Sequence, residues 1–513
     1  MKYHSTRTYE PSNLLNFEDT VLTGLAPDGG LYIPEQIPQL DEQTLKSWES
    51  LSFQELCKKL FRKFINPSEI SDEELSQLVD KSFSTFSHSE ITPTVKLAET
   101  KDNKSLYCLE LFHGPTYAFK DVALQFLGNL FEFFLTRKNQ ASQSNQHKVT
   151  VVGATSGDTG GAAIYGLRGK KNVEVFMLHP EGRVSRLQEA QMTQVMDENV
   201  HNISIEGAFD DCQNLVKQCF GDAQFKKDYQ LGAVNSINWA RILAQISYYF
   251  YSYFQLRKQG IQDHIIFSVP TGNFGDILAG YYAKRMGLNI ERLVTATNEN
   301  DILYTFFTQG SYKRDSSGVA KATHSPAMDI LVSSNFERFL WYLAYTKSEQ
   351  PGAACEQVNA WMEQFRNTYE FSIDAKLLET ARVWFDSYRV DDATIISTIK
   401  KYYQDVQPRY LLDPHTAVGV NAAELYPTSQ HTHFVCVGTA HPAKFSEALI
   451  LAITPEQQAQ NVQLFDFDAK MGAEYLPKPF RNWMNPDLPR KNHKLPSPDV
   501  ETLKSLIKSV VKI

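Results

Sequence analysis

The stretch LFHGPTYAFKDVALQFLGNL, residues 111 to 130, sets one lysine, Lys120, at the mouth of an otherwise mostly apolar run. Around it Phe119, Val122, Ala123, Phe126, Leu127, Leu130, Phe131 and Phe134 recur at helical spacing. A Gly-Pro turn and Thr116, a candidate helix cap, precede it. The dipole of such a helix already places positive potential at its N-terminus, so a cation gains nothing there from the helix itself. Two ordinary readings are a lysine snorkelling to solvent and one pairing with Asp121. The alternative is a lysine kept partly neutral by desolvation and positive potential, the form that Schiff-base chemistry requires.

Outward from this stretch the chain alternates between strands and helices. KSLYCLELF precedes the lysine helix; HKVTVVGA (147–154), VEVFMLHP, VHNISIEGAF, HIIFSVP and LVTATN follow as apolar, β-branched strand candidates. Helical patterns over 185–195, 210–220, 239–259 and 276–286 separate them. That alternation marks parallel sheet covered by helices on both faces, an α/β fold. The first ninety or so residues differ, with helical patterns at 52–65 and 71–83 and a break at 89–93. After residue 300 helical patterns return at 336–345, 357–369, 375–388 and 394–403, before a last strand and turn, HFVCVGTAHP (433–442).

The totals narrow the function class. A chain of 513 residues implies two to four domains. A net charge of −8 argues against a general nucleic-acid or membrane-surface binder. There is neither a signal-peptide pattern nor an uncharged apolar run long enough to span a bilayer, which points to the cytoplasm. The six cysteines are scattered without a CxxC, as expected of buried reduced thiols, and His431 and His433 have no carboxylate or cysteine at metal spacing. No metal site is expected.

Three loops stand at strand-to-helix junctions, where open α/β sheets bind ligands. GATSGDTGGAA (153–163) and PTGNFGDILAG (270–280) leave backbone N–H groups free for anions, the second opening a helix with Gly272, Asn273, Phe274, Gly275 and Asp276. Neither matches the P-loop or the dinucleotide glycine pattern. In VGTAHPAKF (437–445) Thr439 follows a strand and, taken alone, reads as a capping threonine. One unusual lysine and two anion-ready loops together suggest a phosphorylated aldehyde cofactor, pyridoxal phosphate. His113 and His441 adjoin Lys120 and Thr439 and are either pocket-lining or packing residues.

The motifs HGPTYAFKD, GATSGDTGGAA, NSINWARILAQ, PTGNFGD, SSNFERF and GTAHPAKF occur in that order, with YHSTR and LAPDGGLYIP near the start. Together they resemble the threonine synthase family, in its longer bacterial and fungal type. One departure is Thr8, where the family often has glycine after YxSTR. The resemblance implies the tryptophan-synthase-β-like fold (fold type II), with two parallel-sheet domains and a mostly helical N-terminal domain. The expected boundaries are 1–92 for the N-terminal domain, 93–140 with 233–455 for the large cofactor domain (helical insertion at about 300–410), 141–232 for the small domain, and 456–513 for a C-terminal extension.

By the same resemblance Lys120 is the Schiff-base lysine, Gly272 to Asp276 hold the cofactor phosphate, and Thr439 faces the pyridine nitrogen. Thr155, Ser156, Asp158 and Thr159 are the expected substrate-carboxylate contacts. Asn238, Arg241 and Arg338 are candidates for the substrate phosphate, against the competing readings of a helix-surface Arg241 and a capping Asn238. The implied reaction takes O-phospho-L-homoserine and water to L-threonine and phosphate. Its alternatives are a phospho-lyase or dehydratase of the same fold and, from a different class, a non-catalytic phosphate-binding regulator. Monomer and homodimer are equally open, and so is the group that moves the Cβ and Cγ protons.

Overall fold

A computed structural model describes residues 1–454 and 476–511; the first part of the expected C-terminal extension therefore lies outside the described residues. The N-terminal region is helical as its periodicity predicts. Phe53–Arg62 and Asp72–Phe83 each begin with a capping box, Ser52 with Glu55 and Ser71 with Glu74. The first of them buries Phe53, Leu56, Cys57, Leu60 and Phe61, one face at i, i+3, i+4, i+7 and i+8. A short antiparallel pair, Tyr3–Ser5 with Tyr32–Pro34, fastens the chain's start.

The large sheet has six strands in the order Phe385–Arg389, Ile290–Thr297, Ile265–Pro270, Thr432–Gly438, Lys104–Glu110, Thr94–Glu99. All pairs are parallel except the last, in which Thr94–Glu99 runs antiparallel to Lys104–Glu110. The central strands are almost wholly buried, as a sheet covered on both faces requires. The small sheet has five parallel strands in the order His493–Leu495, Val200–Ile205, Val173–Pro180, Val149–Ala154, Leu231–Gly232.

Two differences from the sequence reading concern the sheets. The expected helix at 375–388 ends at Arg382, and Phe385–Arg389 becomes the edge strand of the large sheet. Its conformation comes from pairing with Ile290–Thr297, a partner about ninety residues away that local periodicity does not contain. At the other end, His493–Leu495 extends the small sheet, and the helix Val500–Val510 packs Leu503 and Ile507 into that domain's core. The described part of the extension thus completes the small domain. All six cysteines are buried and unpaired, and no described helix is long and apolar enough to cross a membrane.

The two sheet domains meet where the helices Lys120–Ser142 and Asp158–Leu167 cross at glycines. A Cβ on Gly128 would lie 1.9 Å from the Gly166 carbonyl oxygen, and one on Gly166 would lie 2.6 Å from that of Leu124. Backbone meets backbone here, with no flexible side chain to yield. Gly128→Ala should lower stability by about 1–3 kcal/mol or more, read as a drop in the urea midpoint with an unchanged slope.

Candidate active site

The turn before Lys120 folds back on Asp121. A Cβ on Gly114 would come within 2.4 Å of the Asp121 Cβ, so the turn needs its glycine. Thr116 donates to Asp121 through its N–H (2.8 Å) and its hydroxyl (2.6 Å). Thr116 therefore does not cap the helix as expected; the N-cap is Phe119, without a side-chain bond. Burial pushes the Asp121 carboxyl up to about 6, against the pull of the Thr116 bonds.

Lys120 is 9 % exposed and, among the described residues, has neither a hydrogen bond nor an ion pair; Nζ stands 4.8 Å from the Phe119 ring centre. Snorkelling and pairing with Asp121 are both ruled out by this placement. Its ammonium is disfavoured first by burial, then by the charges of Lys444 and Arg241, while Asp158 and Asp121 oppose the shift.

Thr439 is seated against the same turn. The Phe119 N–H donates to the Thr439 carbonyl at 2.8 Å, the His441 N–H donates to the Tyr117 carbonyl at 3.0 Å, and Ala118 bridges Ala440 between them. The Thr439 N–H donates to the Thr416 hydroxyl at 3.3 Å, and that hydroxyl in turn donates to Asp413. Among the described residues the Thr439 side chain has no hydrogen-bond partner. His441 accepts from the Ala443 N–H at 3.3 Å, with burial holding its pKa down to about 3. His113 is bound to Glu110 at 2.7 Å, so both histidines are tied within the protein.

In the loop 272–276 the carbonyls of Gly272 and Asn273 are occupied, whereas several of the amides are not. Ser333 donates to the Gly272 carbonyl at 2.7 Å; Asn335 donates to that of Asn273 through its N–H (3.0 Å) and its side chain (3.1 Å). Phe274, at φ +62°, packs against Phe307, Phe336, Phe339 and Phe385, an apolar anchor for a strained residue. The N–H groups of Gly272, Asn273, Gly275 and Asp276 have no acceptor among the described residues and open the helix Gly275–Arg285. The Asp276 carboxylate faces away from this role: Oδ1 accepts from Tyr248 (2.8 Å) and Tyr249 (2.7 Å).

In the small domain's loop, the Thr155 hydroxyl accepts from the Gly157 and Gly160 N–H groups, both at 2.9 Å, and so shapes the loop itself. Gly157 sits at φ +147°, where a Cβ would lie 2.3 Å from Gln188 Oε1. Ser156 is exposed and Thr159 half-buried. The N–H groups of Ser156, Asp158 and Thr159 have no acceptor among the described residues. The Asp158 side chain is committed to Lys444, 2.6 Å away, and to Gln188 at 2.9 Å. Burial would raise its pKa, but the charges of Lys444 and Lys120 outweigh burial and hold it well below the usual carboxylate range.

The three phosphate candidates separate cleanly. Asn238 is a helix cap, accepting from the Ala240 N–H at 3.1 Å and donating to the Val21 carbonyl at 2.9 Å. Arg338 does not stand free for a ligand. Its guanidinium is fully buried and donates to the Tyr32 carbonyl, to Asn335 Oδ1 and to the Ile237 carbonyl at 2.9, 2.5 and 2.5 Å. Arg241 is buried with Nε and Nη1 unpartnered, and burial pulls its pKa down to about 10. An orphaned buried guanidinium is costly unless an anion completes it. The residue that the sequence reading overlooked is Lys444, 3 % exposed, which also donates to the Thr116 carbonyl at 2.9 Å. Its signal was the one that marked Lys120, a lysine leading into an apolar helical run.

These features fit pyridoxal phosphate: a buried unpaired amine, a cradle of unengaged amides, a free hydroxyl and an orphaned cation. Among the described residues no cluster could hold a metal ion. Asp276 offers a test of the cradle's electrostatics. Its folded pKa, raised by burial from the ordinary 3.8 to about 6, means that ionisation weakens folding across that interval. Asp276→Asn should therefore gain stability over the wild-type apoprotein by roughly 3 kcal/mol between acid and neutral pH, measured by urea unfolding at each pH.

Known proteins place the chain. A family model for "Threonine synthase N terminus" matches residues 2–83, one for "Pyridoxal-phosphate dependent enzyme" residues 86–436, and one for "Threonine synthase, C-terminal" residues 416–507. The chain is 55 % identical to the threonine synthase of Schizosaccharomyces pombe over 469 residues, covering 88 % of this chain and 90 % of that one. It is 52 % identical to that of Saccharomyces cerevisiae over 461 residues, covering 88 % and 89 %. The crystal structure of yeast threonine synthase superposes with a TM-score of 0.92 at 48 % identity, covering 99 % of this chain and 98 % of that one. A PLP-bound threonine synthase from Brucella melitensis gives 0.86 at 38 %, covering both chains fully. By these family models and relatives, the chain belongs to the threonine synthase family of pyridoxal-phosphate-dependent enzymes.

Proposed function

We propose that the protein converts O-phospho-L-homoserine and water to L-threonine and phosphate, by γ-elimination followed by β-addition of water, as the last step of threonine biosynthesis. The observation that carries this reading is a pair of buried basic side chains, the Lys120 amine and the Arg241 guanidinium, that make no ion pair among the described residues. One is suited to an aldehyde and the other to a phosphate ester.

Pyridoxal phosphate, when bound, supplies an electron sink for the carbanion formed at the substrate Cα. Lys120 would carry its aldehyde, the amides of 272–276 its phosphate, and the Thr439 hydroxyl would face its ring nitrogen. A hydroxyl stabilises a protonated ring far less than a carboxylate would. The unengaged amides of Ser156, Asp158 and Thr159, with the Ser156 and Thr159 hydroxyls, suit the substrate carboxylate; Thr155 sets the loop's shape. Arg241 suits the ester phosphate, which would complete its guanidinium, and Asn238 positions it by capping the helix Trp239–Lys258.

When free of the cofactor, neutral Lys120 Nζ would be placed to take the Cα proton and to return one to Cα after water has added at Cβ. Water has to be kept out until phosphate leaves and admitted afterwards, and the small domain, which carries the 153–163 loop, is the part suited to close. A cytoplasmic location suits its reduced thiols.

With O-phosphohomoserine, the wild type should release threonine and phosphate in equal amounts. Lys120→Ala should form no threonine and lack the cofactor's visible absorbance band. Arg241→Met should keep that band and lose about 100-fold in kcat/KM. Phosphate released with 2-oxobutanoate and no threonine would instead place the enzyme among phospho-lyases.

A further inference from the structure

The ion pair between Lys444 and Asp158 stands beside Lys120 without a part in the chemistry above. Lys444 rises from the short turn Pro442–Phe445, just past Thr439. Its ammonium lies 2.6 Å from Asp158 Oδ1 and donates to the Thr116 carbonyl at 2.9 Å. One buried cation thus joins three loops: the one bearing Thr439, the small domain's 153–163 loop and the turn before Lys120.

Two amines compete here for one carboxylate. Among the charges that favour a protonated Lys120, Asp158 comes first, ahead of Asp121. Asp121 is already held by two bonds from Thr116. Asp158, buried in the same pocket, is the partner that Lys120 would take if it were free, because a buried carboxylate is stable only when paired. Lys444 holds it instead. The bond to the Thr116 carbonyl fixes the Lys444 ammonium at the carboxylate, while the Lys120 Nζ rests over the Phe119 ring.

We propose that Lys444 is a positioning residue that keeps Asp158 occupied, so that the Lys120 amine remains without a counter-ion and nucleophilic. The inference rests on Lys120 being the reactive amine of the proposed function. The charged groups facing Lys120 are Asp158, Lys444, Arg241 and Asp121, with Asp276 of the helix Gly275–Arg285 also feeling its charge, and Asp158 also feels His415. Of these, Arg241 comes from the helix Trp239–Lys258 and adds positive potential that Lys444 does not control. Without the Lys444 charge, Asp158 would draw Lys120 into an ion pair, protonated and turned away from its work.

The test is the reactivity of Lys120 in the apoprotein, read by competitive acetylation with trace acetic anhydride and peptide mass spectrometry across the neutral and alkaline range, with exposed Lys347 as internal reference. In Lys444→Met, acetylation of Lys120 near neutral pH should fall about tenfold or more, with its profile displaced to higher pH. Lys444→Arg should keep the wild-type profile. The double variant Lys444→Met with Asp158→Asn should recover wild-type reactivity or better, which a merely structural loss would not.

A Lys444→Met profile superposed on the wild type overturns the proposal, and so does a double variant as unreactive as the single one. Should Lys444→Met not fold, Asp158→Asn alone decides: Lys120 should become more reactive near neutral pH, and unchanged or lower reactivity overturns the idea. Acetylation needs no cofactor, so a failure here is distinct from a failure to form threonine.

Discussion

The active site hangs on two main-chain hydrogen bonds between turns that lie more than three hundred residues apart in sequence. Phe119 donates to Thr439, and Tyr117 accepts from His441. Behind them run the adjacent parallel strands Lys104–Glu110 and Thr432–Gly438, with Glu110 opposite Gly438. The relative position of Lys120 and Thr439 is therefore a matter of sheet register, because a slip of one residue would carry every side chain to the other face. A cofactor held between an amine and a hydroxyl tolerates little displacement, since catalysis of this kind depends on orientation within fractions of an ångström. Rigid strands provide that where loops alone would not.

Around that seat the buried charges follow one rule. Each carboxylate takes its hydrogen bonds from the protein: Asp121 from Thr116, Asp276 through Oδ1 from two tyrosines, Asp158 from Lys444. Two basic groups, the Lys120 amine and the Arg241 guanidinium, are left over without an ion pair among the described residues. Keeping an unpaired cation dry costs free energy, and the cost is recovered only when an anion or an aldehyde arrives. The site thus stores in its own electrostatics a preference for ligands that bring phosphate. Neutralising the acids locally is what leaves the cations available, for a free carboxylate would have taken one of them.

Much of this was legible in the sequence because it is local. The lysine at the mouth of an apolar helix and the glycine loops at strand ends are short-range patterns, and the structure places each at a strand-to-helix junction. What escaped is non-local. Phe385–Arg389 is a strand only because Ile290–Thr297 lies beside it. Arg338 looks like a ligand in SSNFER, yet two of its three partners are carbonyls of Tyr32 and Ile237, which no window around residue 338 contains. Asn238 and Arg241, three positions apart, were indistinguishable as phosphate candidates until burial and hydrogen bonding separated a cap from an orphaned cation.

The fate of Arg338 also explains why the N-terminal region carries motifs at all. Thr6 donates to Glu337 at 2.6 Å, and Arg7 pairs with the same carboxylate at 2.9 Å. Arg338 ties the Tyr32 carbonyl to Asn335, and Asn335 in turn grips the Asn273 carbonyl of the amide cradle. A continuous line of buried polar contacts runs from YHSTR through SSNFER to GNFGD. Satisfied networks of this sort are stiff, since breaking one member strands its partners away from water. The helical N-terminal region is thereby a buttress: it holds from outside the carbonyls whose amides must point inward, so the cradle keeps its shape before any phosphate arrives to organise it.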